Sequence, residues 1–394
     1  MNPVIKPRLI LLVAFFLAAL ALLSSVARAA NEPVQIGEPP EGDARTPTPA
    51  PLQASGAQTH TVFLPLILNS GIEIIGPNVP FGYGWNVHQH NSYHTAGLTS
   101  FNWIKFTDPP SVESICGANT LPYNVLLRIN WAQGDTPLDY GATQASNFAW
   151  LAKIQSTNAG LCVDAFEVGN EPNLVSMYKG PVNPVDFADK LCAQYSAIKA
   201  VDPNYIVVSG GIAPTGHFPD PTQVMDEEDF LRTMLNRIRD THNGDAGACF
   251  DALGYHNYGF RTGYTTPFTD TVNCPEGMCF QSAERIWNIL SGEYGVYKRL
   301  WLTEMGWLRD YTPACGADAW GSVFAGFQNS DAEQAAQLKG AFEYARAHWP
   351  WAGAMFVFNL DFNERGYDQC YDEQHWFAVK NFPARATLEA MPKP

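Results

Sequence analysis

Positive charge is scarce in this 394-residue chain: 24 Lys and Arg stand against 39 Asp and Glu, a formal net charge of −15. That balance argues against nucleic acid or an anionic membrane as partner and favours a neutral one. No GxGxxG or Walker stretch occurs, so nothing supports a nucleotide-binding fold. The eight cysteines show no CxxC spacing of the zinc type. Beyond the first 29 residues no apolar run is long enough to span a bilayer.

Those first 29 residues read as a secretory signal. Lys6 and Arg8 give the positive start, Leu9 to Leu23 the apolar run, and Ala27-Arg28-Ala29 a small-x-small cleavage site. An uncleaved membrane anchor is the alternative reading. A lipid anchor is not supported, because no Cys lies near the site. Loss of Lys6, Arg8 and Arg28 with the leader leaves a charge of −18. The expected location is extracellular, with attachment to the cell surface left open. Residues 30–74 read as a linker, with Thr46-Pro47-Thr48-Pro49-Ala50-Pro51 too polar and Pro-rich to bury apolar surface. Within it the apolar, β-prone stretch 61–68 either docks as a strand over one end of the domain or meets a partner.

Residues 75–394 read as one catalytic-sized domain. Candidate strands are 81–86, 100–106, 124–131, 163–169, 205–211, 251–257, 299–304 and 353–359. Helical stripes separate the later ones: Phe187, Leu191, Tyr195 and Ile198, then Phe230, Leu231, Met234, Leu235 and Ile238. Asn183-Pro184 suits a helix start, and Ser330 with Glu333 suits a capping box. Strand–helix alternation on this scale predicts an α/β fold, a (β/α)8 barrel of parallel strands. Trp150, Trp287 and Trp349 lie in helical patterns and read as core. Export predicts paired cysteines. Cys274–Cys279 closes a short loop, and Cys315–Cys370, Cys116–Cys162 and Cys192–Cys249 follow from which elements should be neighbours.

Such a barrel carries its site at the C-terminal strand ends. There the sequence offers Trp85, Lys105, Arg128, Trp131, Asn170, Glu171, His256, Tyr258, Glu304, Trp307 and Asn359. Amides, charges and aromatic rings together suit sugar hydroxyls and the apolar faces of pyranose rings. Trp131 and Trp307 read as ring platforms, whereas packed core is the alternative reading for His256 and Tyr258.

Asn170-Glu171-Pro172 ending the fourth strand and Glu304 ending the seventh resemble the signature of clan A glycoside hydrolases, retaining barrel enzymes that include cellulase-like and family 39 types. The resemblance spans roughly residues 80–365. It implies Glu171 as acid/base and Glu304 as nucleophile in cleavage of a β-glycosidic bond by double displacement, with no metal or organic cofactor. It also implies Asn170 at the sugar 2-hydroxyl, with His256 and Tyr258 beside the nucleophile. Two positions depart from the pattern: the eighth strand has no terminal Trp, and Lys105 stands where many members carry Arg. The expected partner is a carbohydrate substrate, and the expected state a monomer.

Two other readings remain. His88, His90, His217, His256 and Asp361 could serve a metal-dependent amidohydrolase-like barrel. A sugar-binding barrel without catalysis is the other.

Overall fold

The computed structural model describes residues 66–67, 73–74, 76, 81–88, 101–107, 115–116, 123–156, 162–216, 222–317, 319, 324 and 326–393. The leader, the Pro-rich stretch, His90 and His217 lie outside them. Eight strands follow in chain order: β1 (Gly82–Val87), β2 (Trp103–Phe106), β3 (Asn124–Ile129), β4 (Ala165–Val168), β5 (Ile206–Ser209), β6 (Ala252–His256), β7 (Arg299–Met305) and β8 (Ala352–Val357). Every strand pairs in parallel with the next, and β8 pairs with β1, so the sheet closes. The fold is a (β/α)8 barrel.

Parallel strands need crossovers, and the longer helices supply them. They are α1 (Leu138–Gln155), α2 (Pro184–Val201), α3 (Glu227–Thr241), α4 (Ser282–Asn288) and α5 (Asp331–His348), with α6 (Pro383–Ala390) after the last strand. Their starts are chemically marked. The Asn183 side chain accepts from the Val185 and Asp186 amides, and Ser330 and Glu333 form a reciprocal capping box. The stripes expected on α2 and α3 face inward, with Phe187, Leu191, Phe230 and Leu235 fully buried. Trp287 and Trp349 are buried as expected, but Trp150 is 54% exposed. It stands opposite the buried row of α1, which is made of the small residues Gly141, Ala145, Ala149 and Ala152. These let α2 approach closely and leave no room for an indole.

Strand alternation sorts the barrel into two cores. Inward residues such as Trp103, Leu126, Ala165, Val208, Trp301 and Phe356 fill the interior. A Cβ at Gly84 would lie 2.3 Å from the Phe356 ring, so glycine there leaves space for the rings. Outward residues such as Trp85, Phe166 and Leu302 join the layer beneath the helices.

At the N-terminal end, a side chain just before a strand accepts the amide of a residue in the preceding strand. Asn102 bonds Tyr83 at 2.8 Å, Asp164 bonds Val125 at 2.7 Å, and Asp251 bonds Val207 at 2.8 Å. These bonds pair amides that would otherwise be buried unsatisfied. Leu66–Ile67 pairs antiparallel with Glu73–Ile74, and Ile74 is buried in the main core. A Cβ on Gly76 would meet the Asp251 carbonyl at 3.3 Å, which places this segment beside the same end.

All eight cysteines are bonded, in the four pairs expected: Cys116–Cys162, Cys192–Cys249, Cys274–Cys279 and Cys315–Cys370. Among the described residues no helix is long and apolar enough to cross a membrane.

Two stability predictions follow from buried charge. Burial pushes the Asp164 carboxyl up to about 7, against the opposing hydrogen bond from the Val125 amide. A carboxyl raised on folding keeps its proton in the native state between its ordinary value and about 7. Its contribution is therefore complete in acid and is lost as pH rises through that window. Asp164→Asn keeps the acceptor without the titration, so the melting temperature of the variant relative to the parent should rise steadily from acid to pH 8. A pH-independent difference would contradict this.

The second concerns Lys105, whose ammonium lies 2.7 Å from Glu167 inside the barrel with both side chains fully buried. Lys105→Met should cost about 3–5 kcal/mol by leaving the carboxylate unpaired, and adding Glu167→Gln should recover part of that. Urea unfolding of the single and double variants reads this, and additive losses would contradict it.

Candidate active site

One turn and one register shift bring the carboxylates together. After β4, Gly169 takes φ 91° and Glu171 takes φ 42°, both in the left-handed region. The Glu171 amide donates to the Gly211 carbonyl at 2.9 Å. Asn173 exchanges two hydrogen bonds with the Ala213 backbone, at 2.8 and 3.0 Å. The Asn-Glu-Pro-Asn loop is thereby pinned to the end of β5, and Glu171 points to the barrel axis. On the far side the β6–β7 register shifts between Tyr255 and His256, so His256 stands opposite Glu304. Such an irregularity re-aims a side chain. Here it accompanies the delivery of Glu304 to the same rim.

One oxygen each of Glu171 and Glu304 and one ring nitrogen of His256 lie within 4.8 Å of one another. His256 Nδ1 is 2.9 Å from Glu171 Oε1 and 3.5 Å from Glu304 Oε2. The Tyr258 hydroxyl donates to Glu304 Oε2 at 2.7 Å. Lys105 Nζ lies 3.4 Å from Glu304 Oε1 and donates to the Thr303 carbonyl at 3.2 Å. Arg128 Nη1 donates to Asn170 Oδ1 at 2.9 Å, which fixes which end of the Asn170 amide is the oxygen. Room for the imidazole comes from Gly211, where a Cβ would sit 2.3 Å from the His256 ring.

Electrostatics separate the roles. Burial by itself would push the Glu304 carboxyl up, but His256, Lys105, Arg128 and the Tyr258 hydrogen bond outweigh it and hold Glu304 below the usual carboxylate range. Burial, followed by the charges of Glu304 and Glu171, raises the Tyr258 phenol well above its ordinary value. Tyr258 therefore stays a neutral donor. The site holds an ionised carboxylate facing a second carboxyl group, with the Tyr258 hydroxyl, the His256 imidazole and the Lys105 and Arg128 side chains acting on it.

Several expected sugar contacts are placed elsewhere. Trp85 is fully buried and stacks on Phe101 at 4.0 Å, because its strand position faces the helices. Trp131 has the same outward parity and packs edge-on against Phe148 of α1 at 4.6 Å. Trp307 is 1% exposed, donates its indole N–H to the Thr262 carbonyl at 2.8 Å, and covers Gly259. Lys105 is fully buried beneath the carboxylates, so it acts on Glu304 and Glu167 rather than on a substrate. Both ends of the Asn359 amide are consumed by the loop after β8, through the Gln374 carbonyl and the Phe362 amide.

Glu167, Asn173 and Gly211 also build the site, beyond the residues the sequence singles out. Glu167 lies two residues after the inward-facing Ala165 on β4 and could have been read as inward-facing by strand alternation. Asn173 acts as a side-chain anchor on the Ala213 backbone and Gly211 as space for the His256 ring, and neither role has a sequence motif of its own.

A metal fits the site poorly. Glu171, His256 and Glu304 offer three donors, but the Lys105 ammonium already faces Glu304, and a second cation would be repelled. The amidohydrolase-like set is not assembled among the described residues. Asp361 accepts from the His88 backbone amide at 2.9 Å, the His88 ring lies edge-on to Phe362, and His256 Nδ1 is engaged by Glu171. Cys192, His242 and Cys249 also cluster, but both sulfurs belong to a disulfide.

No family model matches the chain, and no curated protein matches it. Solved structures do. The GH53 catalytic domain of Ignisphaera aggregans aligns with a TM-score of 0.52 at 15% identity, covering 81% of this chain and 99% of that one. A glucosidase from Croceicoccus marinus aligns with a TM-score of 0.48 at 15% identity, over 79% of this chain and 64% of its own length, so this chain spans less than two thirds of that enzyme. At such identities the likeness is one of fold: the chain shares its barrel with the GH53 domain.

Proposed function

We propose that this chain is an exported, retaining glycoside hydrolase that cleaves a β-glycosidic bond in an oligo- or polysaccharide. The observation that carries the reading is the pair Glu171 and Glu304, on opposite strand ends with oxygens within 4.8 Å of each other. Retaining enzymes hold their carboxyl groups about 5–5.5 Å apart, whereas inverting ones leave about 6.5–9.5 Å for a water. A buried carboxylate held ionised by His256, Lys105, Arg128 and Tyr258 suits a nucleophile.

In the first step Glu304 attacks the anomeric carbon as the bond to the leaving oxygen breaks, and Glu171 gives that oxygen its proton. In the second, water attacks the same carbon, its proton returns to Glu171, and the ester to Glu304 breaks. Asn170, oriented by Arg128, would bond the sugar 2-hydroxyl, while Tyr258 holds Glu304 in line. No step calls for a metal or organic cofactor. Export is supported by the four disulfides, which suit an oxidising compartment, and by the leader read in residues 1–29.

Turnover is tested on aryl β-glycosides and on a polysaccharide panel. Glu304→Gln should lower kcat by about 10³-fold or more on every substrate, since no covalent intermediate can form. Glu171→Ala should spare activated aryl glycosides more than natural glycans, and azide should speed it and yield a glycosyl azide of retained configuration. An inverted azide product would overturn the assignment. No turnover by the parent on any substrate would leave a barrel that binds sugars without cutting them.

A further inference from the structure

Glu167 is a carboxylate that the proposed chemistry does not use. It is fully buried on β4, on the inward face that it shares with Ala165. An ion pair inside a protein is a poor source of stability, since apolar side chains of similar volume often serve as well or better. A buried carboxylate outside the reacting pair therefore asks for a chemical reason.

Its contacts lead to both members of that pair. Glu167 Oε1 accepts the Gly211 amide at 3.3 Å, and the Gly211 carbonyl accepts the Glu171 amide at 2.9 Å. Glu167 Oε2 lies 2.7 Å from Lys105 Nζ, a contact of charge that is off the axis of an aligned hydrogen bond. The ammonium directs aligned bonds to the Thr303 carbonyl at 3.2 Å and to Glu304 Oε1 at 3.4 Å. One lysine is thus shared by two carboxylates and lies closer to the one that does no chemistry. Other charges surround the trio. Arg128 on β3 stands in register with Glu167, and Arg128, His256 and Tyr258 also act on Glu304. Glu171 and Glu373 act with Glu304 on the Tyr258 phenol. Strands β1, β5 and β8 carry no charged side chain.

We propose that Glu167 is a positioning residue for both chemical steps: it is the standing counter-ion of Lys105, and it holds that ammonium in place while Glu304 is esterified and carries no charge. The inference rests on the glycosidase reading. Before attack, Lys105 lies between two carboxylates. Once Glu304 bonds the anomeric carbon its negative charge is gone, and a fully buried ammonium facing a neutral ester needs another partner. Glu167 takes no part in the bond changes, so the cation stays paired throughout. It is then in place when water releases Glu304 as a carboxylate. The sharing acts in the free protein as well. Part of the lysine's charge is met by Glu167, so less of it bears on Glu304, which remains the stronger nucleophile.

Removing the Glu167 charge should move the two steps in opposite directions. In Glu167→Gln an undivided Lys105 favours carboxylate over ester, so the ester forms more slowly and breaks faster. The test compares the parent, Glu167→Gln and Glu167→Asp on the dinitrophenyl β-glycoside that the parent cleaves best. Ester formation is read by kcat/KM, which should fall about tenfold in Glu167→Gln. Ester hydrolysis is read by the regain of activity after labelling with the matching 2-deoxy-2-fluoro glycoside and removal of excess reagent. That rate should rise about tenfold. The acid limb of kcat/KM, which reports ionisation of Glu304, should move to lower pH. Glu167→Asp keeps the charge but draws it back from the ammonium, so it should shift both rates the same way by less. It reads the idea even if the Gln variant fails to fold. Both rates lowered together, or both unchanged, in a folded variant overturns the proposal. A parent that neither turns over nor takes the label overturns the glycosidase reading and this inference with it. A labelled parent with unshifted variants overturns this inference alone.

Discussion

An ionised carboxylate inside a protein is expensive unless its charge is met nearby, and the upper half of this barrel is arranged to meet the charge of Glu304. Lys105 approaches one of its oxygens from below, while Tyr258 and His256 approach the other. Lys105 is itself held by Glu167, one inward strand position removed from the catalytic loop. The cluster cannot be assembled piecemeal: remove the lysine and two buried carboxylates lose their cation together. Strand closure, the β6–β7 register shift and the Asn173 anchor all bring these groups within reach of one another.

The same arrangement explains why the chemistry would sit on one face and the stability on the other. At the N-terminal end, Asn102, Asp164 and Asp251 tie neighbouring strands through backbone amides. At the C-terminal end, side chains face one another across the axis instead. Rigid strands place them, and the turns after β4 and β8 supply the local departures from strand geometry that a site needs.

Much of the fold was legible because it rests on repeated patterns. The stripes on α2 and α3 have helical spacing, the caps at Asn183 and Ser330 have their own chemistry, and neighbouring elements brought the right cysteines into pairs. Glu171 and Glu304 stood out as carboxylates at the ends of apolar strands. What the sequence hid was parity and depth. Trp85 and Trp131 lie at strand ends, but one residue of phase decides between the mouth and the helices. Lys105 reads as a rim cation until Glu167 is seen 2.7 Å away. Trp150 has the spacing of a core residue, but the alanine and glycine row of α1 claims the buried face. The rings that do stand open in the loop after the last strand, Tyr367 and Tyr371, lie where periodicity has nothing to say.

The central claim is that Glu304 forms a bond to the sugar. Activated 2-deoxy-2-fluoro aryl β-glycosides of the gluco, manno, galacto and xylo series test it most directly. Fluorine at carbon 2 destabilises the positively charged transition states of both steps, and the good leaving group lets the first proceed faster than the second. The account predicts that one of them inactivates the protein and adds a single fluorosugar to the tryptic peptide Leu300–Arg309, with no addition in Glu304→Gln. Attachment to the peptide that contains Glu171, or steady turnover of these glycosides with no trapped intermediate, would contradict it.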